Sequence, residues 1–213
     1  MSVTADQDTS VPSMRRRLST LNFFAADVGD GIGPFLGIYL ISTAGWKETS
    51  IGWVLFALNI STVLLQTPAG WLIDHSPRKR ILIFLAAILI AVAACVIPLG
   101  PTFAIVMVCT CIIGASAAVI PPAIAGITLG VVGPRGFTRQ MGANQASNHA
   151  GNVVAAISIG ILSFYVWEQA LFGITAAMAL ATGIAVMSIR RSAINNDLAR
   201  GGVAEPSSSQ VQR

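Results

Sequence analysis

The sequence predicts an all-α integral membrane protein: six transmembrane helices in a 3+3 inverted repeat, lying in the inner or plasma membrane with both termini cytoplasmic. Three observations carry this expectation. Of the 213 residues, 54% are hydrophobic and 10% charged, with a mean hydropathy of +0.73, whereas a soluble domain carries about 25% charged residues. Long apolar runs fill most of the chain, each near the roughly 20 residues needed to cross a hydrocarbon core about 30 Å thick. The net charge of +4 is laid out unevenly, because of 13 Lys and Arg residues only Lys47 falls in a loop placed outside. Basic residues near helix ends resist translocation, so the others mark the cytoplasmic side. That distribution excludes a nucleic-acid partner; the partner of the surface is the lipid bilayer.

Residues 1–20 read as a polar and basic cytoplasmic tail. Arg15, Arg16 and Arg17 imitate the start of a signal peptide, but Asp27 and Asp30 interrupt the apolar run that would follow. The segment is therefore expected as an uncleaved first helix. The six helices are placed at 21–43, 51–73, 81–98, 103–132, 140–166 and 170–189, and residues 192–213 as a disordered tail. The fourth, at 1.5 Å per residue, would span about 45 Å if straight, so Pro121 and Pro122 are expected to kink it. Residues 133–139, punctuated by Gly133, Pro134 and Gly136, are expected as an inside loop. Cys95, Cys109 and Cys111 are an odd set inside apolar runs, giving neither a disulfide framework nor metal-ligand spacing. No metal or cofactor is expected.

The helices differ with a period of three. The first and fourth are interrupted by Gly29, Gly31, Gly33 and Pro34 and by Pro121 and Pro122; the second and fifth carry polar stripes; the third and sixth carry no strongly polar side chain. Gly/Pro-interrupted segments at corresponding places in two halves point to an inverted repeat with a substrate path at its interface.

Polar groups in apolar helices are costly and usually face water or a partner. Asp27 and Asp30, at i,i+3, are candidates for a proton-coupled site, burial and mutual repulsion raising their proton affinity; the competing role is capping the bundle's own backbone. In helix 5, Asn144, Asn148 and Asn152 recur every four residues with Gln145 and His149 beside them, together covering a face of roughly 140°. They are read as lining a cavity, or alternatively as interhelical hydrogen bonds. Gly142, Ala143, Ala146 and Ala150 gather on the other side, where close helix packing is expected. His149 and Asp30 each lie about 14 Å from the expected start of their helix, a depth that allows an Asp–His contact. Asn59, Thr62 and Gln66 form a similar stripe in helix 2. Gly29, Gly33 and Gly37, and Gly173, Ala177, Ala181 and Ala185, form small-residue series suited to helix contacts.

Gly70, Leu72, Asp74, Arg78, Lys79 and Arg80, in the short loop after helix 2, resemble the signature between helices 2 and 3 of the major facilitator superfamily. Pro77 stands where that family usually has Gly, and His75 where Arg is frequent. The resemblance covers residues 21–191 and implies the amino-terminal half of such a transporter, with helices 1, 2, 4 and 5 on the path and 3 and 6 toward lipid. It implies that Asp74 helps lock a cytoplasmic gate, with Arg78, Lys79 and Arg80 steadying the loop or only fixing topology. Helix 5 lacks the Gly-Pro-rich motif of the family's proton-driven drug antiporters. Residues 192–213 are similar to the family's central linker, so a truncated or split half is expected, completed by a second six-helix half or a second copy.

The function expected is alternating-access transport of a small solute, proton-linked. The alternative is a non-transporting interaction or assembly protein of the membrane, or an inactive fragment. An intramembrane enzyme is set aside, since no other helix interior offers an Asp and no serine-nucleophile motif occurs.

Overall fold

In a computed structural model, the described residues are 4–30, 32–165 and 169–200; the side chains of residues 4–11, 27, 29, 30 and 200 lie outside the description. Among the described residues every regular element is helical: α1 (Thr4–Asp30), α2 (Ile32–Ser42), α3 (Glu48–His75), α4 (Lys79–Val96), α5 (Phe103–Ala117), α6 (Ile120–Tyr165) and α7 (Ala170–Ser188). By length and composition, four stretches suffice to cross a membrane: Glu48–His75, Lys79–Leu99, Phe103–Tyr165 and Ala170–Ser188. Ile32–Ser42 is a shorter apolar helix.

The 63-residue stretch Phe103–Tyr165 would reach about 95 Å as one rod, and two breaks prevent it. The first falls at Ala118 and Val119, so Pro121 and Pro122 occupy the first turn of α6. There the missing N–H groups would have had no intrahelical partner, and Pro is tolerated. The helix is thus interrupted a few residues before the prolines, with Ala118 itself still helical in φ and ψ. The second break is Gly133, with φ 66° and ψ 176°, a conformation that a side chain would strain. Asn144 Nδ2 donates to Thr128 Oγ1 at 3.1 Å across this break. A straight helix would hold those residues about 24 Å apart, so the chain folds back at Gly133. The loop expected over 133–139 is therefore a single residue, and Pro134 opens a second limb of α6, residues 134–165.

Other boundaries also move. α1 begins at Thr4, so residues 4–20, expected as part of a tail, are helical. α3 continues to His75 and α4 starts at Lys79, which leaves three residues between them. Residues 192–200, expected to be disordered, form with Arg191 two short 3-10 turns lying against the first limb of α6 (120–132). Asn195 N–H donates to the Gly130 carbonyl at 3.0 Å, and a Cβ at Gly130 would sit 2.8 Å from Asn195 O and 3.0 Å from Ala199 Cβ. A Cβ at Gly126 would meet Lys79 Cε at 2.8 Å. These two glycines, one turn apart, let the segment and the lysine stem lie on the helix. Residues 201–213 lie outside the described residues.

The principal helix pairs are α1 with α6, α4 with α7, and α3 with α5. Lipid tails are as apolar as Leu, so such pairs rest on close packing of small residues and on interhelical hydrogen bonds. α4 supplies Ala86, Ala87, Ala93 and Ala94, all buried. Two crossings are tighter. A Cβ at Gly151 would overlap the Phe23 carbonyl oxygen of α1 and lie 2.9 Å from Ala26 Cβ; one at Gly114 would overlap the Leu58 carbonyl oxygen of α3 and lie 2.9 Å from Thr62 Oγ1. Each crossing carries a hydrogen bond: Asn148 Nδ2 to Asn22 O at 3.4 Å, and Thr62 Oγ1 to Gly114 O at 3.1 Å. The small-residue series singled out from the sequence lie elsewhere. Gly33 and Gly37 have only ordinary 3.7 Å neighbours and Gly173 is open, while Gly29 lies outside the description.

Arg17, Arg78, Arg80 and Arg191 collect at one end of the bundle, where Arg17 donates to Ser188 O and Arg80 Nη2 to Met187 O at 2.6 Å. At the other end Trp46 lies 5.9 Å from Phe103, and Tyr39 meets Phe172 edge-on at 4.9 Å.

Candidate functional site

The second limb of α6 carries a run of polar side chains, and its two flanks have different fates. Gln140 and Asn144 are buried. Gln140 Nε2 donates to Asn144 Oδ1 at 2.9 Å and to the Arg15 carbonyl at 3.3 Å, while Asn144 Nδ2 reaches Thr128. This network ties both limbs of α6 to α1. Asn148 is half-buried on Asn22 O, and Asn152 is half-buried. Gln145 and His149, about 100° further round, are exposed.

The packed face is therefore centred on Asn144, with Gly151, Ala155 and Ile159 completing it. Gly142, Ala143, Ala146 and Ala150 are exposed, so the expectation that the small side would pack within the bundle is reversed. The physical reason is hydrogen-bond demand: carboxamides away from water need partners, and Thr128 and the α1 backbone supply them here.

α1 and the second limb run parallel, with Arg15 beside Gln140, Asn22 beside Asn148 and Phe23 beside Gly151. That register sets His149 level with residues 22–23, about 11 Å along the axis from Asp30. The equal depth expected for His149 and Asp30 rested on helix starts that the structure moves. The side chains of Asp27 and Asp30 themselves lie outside the described residues.

The α3 stripe divides in the same way. Thr62 Oγ1 shares its proton between Leu58 O at 3.0 Å and Gly114 O at 3.1 Å, and Ser61 Oγ turns back to Ala57 O at 2.7 Å. Asn59 and Gln66 are exposed, with Asn59 Nδ2 on Leu55 O at 2.8 Å.

Of the gate-motif residues, Gly70 has open space at its Cβ position, and Leu72 and Asp74 are exposed. Asp74 has no hydrogen-bond or ion-pair partner among the described residues. The three cations have separate roles. Lys79 is buried and donates to Ile73 O and Ser76 O, closing the end of α3. Arg80 Nε and Nη2 donate to Val186 O and Met187 O, closing the end of α7. Cations suit these free carbonyls at helix C-termini. Arg78 is exposed. His75 stacks on Trp71 at 4.6 Å, its Nδ1 2.8 Å from Trp71 O.

Two features escaped sequence reasoning. Arg15, Arg16 and Arg139 share a recess with Ser19, Thr20 and Gln140, and Arg15 Nε is enclosed without a hydrogen-bond partner among the described residues. Arg78, Arg80 and Arg191 share another. The charges were legible; their convergence from segments more than 100 residues apart was not. Among the described residues no group of three His, Cys, Asp or Glu could hold a metal ion.

Apolar helices of spanning length, joined through glycines and buried carboxamides, define an integral membrane protein. The sequence profile of the Major Facilitator Superfamily matches residues 18–210. The chain is 41% identical over 190 residues to uncharacterized MFS-type transporters of Mycobacterium tuberculosis strains CDC 1551 and H37Rv, the match covering 89% of this chain and 46% of theirs. It belongs to the Major Facilitator Superfamily, whose members are membrane transporters rather than enzymes. The chain spans about half the length of the curated relatives it matches.

Proposed function

We propose that this chain forms half of an alternating-access transporter for a small solute, with six membrane crossings in a 3+3 inverted repeat and its basic end in the cytoplasm. The observation that carries the reading is the set of exposed polar side chains on apolar helices: Asn59 and Gln66 on α3, Gln145 and His149 on the second limb of α6. A carboxamide or imidazole turned to lipid leaves hydrogen-bonding capacity unused, even where one N–H returns to its own helix as Asn59 does to Leu55 O, so these flanks belong against water or protein.

The helix pairs support the repeat. With α1 and α2 as one crossing and α6 as parts of two, the pairs are first with fifth, second with fourth, and third with sixth. Exchanging the two triplets maps the first two pairs onto each other and the third onto itself, as an inverted repeat requires. The open flank of the second limb, with Ala143, Ala146 and Ala150 beside Gln145 and His149, suits close approach of further helices around a polar path. That place belongs to what the relatives carry beyond the matched segment, or to a second copy of this chain. Proton linkage is part of it, because Asp27, Asp30 and His149 are titratable groups within segments read as membrane crossings.

Cysteine labelling tests the proposal. In a background with Cys95, Cys109 and Cys111 replaced, membranes carrying Asn59→Cys, Gln145→Cys or His149→Cys should react with a water-soluble maleimide, while Ile184→Cys, 71% exposed on α7, should not. Equal silence at all four positions would place the polar flanks against lipid and sink the reading.

A further inference from the structure

The recess beside α4 and α7 has cations at its rim and an apolar wall below. Its volume is about 180 Å³, and it is lined by Arg78, Arg80 and Arg191 together with Ile81, Met187 and Ile194. Neither Asp74 nor Asp197, the carboxylates adjacent in sequence, lines it. Arg80 spends Nε and Nη2 on α7 carbonyls. Arg78 and Arg191 are exposed, and their side chains have no partner among the described residues. Directly below, Ile81, Leu85, Leu89 and Val92 are 43%, 51%, 51% and 55% exposed on α4. Their spacing of four, four and three residues forms one stripe about 16 Å long.

A charged rim over an apolar stripe on a membrane helix matches one amphiphile, and we infer that this recess binds the headgroup of an anionic phospholipid, whose acyl chain lies along Ile81, Leu85, Leu89 and Val92. Guanidinium groups bind phosphate oxygens in a planar, bidentate manner, and basic pockets at helix ends suit anionic headgroups. A zwitterionic lipid would bring its ammonium into a site already lined by four cations, the buried Lys79 beside the three arginines. The other basic recess, around Arg15 and Arg139, has no large apolar residue in its lining and lies against the second limb of α6, so it lacks the second half of the match.

The test uses the whole purified chain in detergent, titrated with phosphatidylglycerol or phosphatidylcholine of identical acyl chains, bound lipid being counted by native mass spectrometry. Phosphatidylglycerol should be retained preferentially. At about fivefold per arginine, Arg78→Gln with Arg191→Gln should weaken it about 25-fold, whereas Arg16→Gln with Arg139→Gln should leave it unchanged. Arg80 is left intact because it closes α7. Leu85→Asn with Leu89→Asn should weaken phosphatidylglycerol without admitting phosphatidylcholine. Circular dichroism and size exclusion establish that each variant is folded. Equal retention of the two lipids, equal loss in both arginine pairs, or displacement by millimolar inorganic phosphate alone would overturn the assignment; the last would make it a site for free anions.

Discussion

Asn144 and Gln145 are neighbours in sequence and opposites in structure. Asn144 is fully buried, accepting from Gln140 and donating to Thr128; Gln145 is exposed, as is His149 one turn on. A polar ladder that looks like one surface in the sequence is two. One flank holds the bundle together, and the other is open to whatever completes it. The difference teaches that polarity on a membrane helix identifies demand for partners, and only the neighbouring helices decide whether the demand is met inside the fold.

The contrast can be broken most severely at Gly151, where any side chain collides with the Phe23 carbonyl of α1. Gly151→Leu should abolish monodisperse protein on size exclusion, whereas Gly142→Leu, one helical flank away with open space at its Cβ position, should elute as the parent does. Comparable behaviour of the two variants would remove the claim that the Asn144 side is the packed one.

A smaller effect is expected at Asn144 itself. Asn144→Leu strands the Gln140 and Thr128 groups it serves, and a buried unsatisfied polar group costs about 1–3 kcal/mol. Equilibrium unfolding in mixed detergent should show that loss, and Asn144→Leu combined with Thr128→Val should recover part of it. Failure of the second change to help would mean that the network is slack. The α3–α5 crossing offers a weaker version, since Thr62→Val removes one hydrogen bond of a kind worth about 0.6 kcal/mol in membrane bundles.

The helical class, the membrane setting and the period of the Asn ladder were legible because composition and spacing are local properties. The flank that packs was not, because it depends on Thr128, sixteen residues away, and on the Arg15 and Asn22 carbonyls on another helix. Gly and Pro signalled breaks correctly at Gly133 and before Pro121, yet their density at 133–136 suggested a loop where one left-handed glycine suffices. Glycines in regular series drew attention, while the ones that matter, Gly114 and Gly151, stand alone and are recognised only by the carbonyl opposite. The basic residues announced a side of the membrane. That Lys79 and Arg80 would close two different helix ends, leaving Arg78 free, follows from tertiary contacts to α7 and to α3.

The smallest expected effect on the fold is the one that bears most on function. Gln145→Leu and His149→Leu remove no hydrogen bond made within the described residues, so each should leave the unfolding midpoint nearly unchanged, surface substitutions usually lying within about 0.5 kcal/mol. If the open flank faces an aqueous path, the same changes should halve or abolish maleimide labelling at a neighbouring Ala146→Cys by drying its surroundings. Stability lost at Gln145 on the scale expected for Asn144 would mean that the open flank is closed by a contact of its own, and the division of the helix into a holding side and an open side would fail at its clearest point.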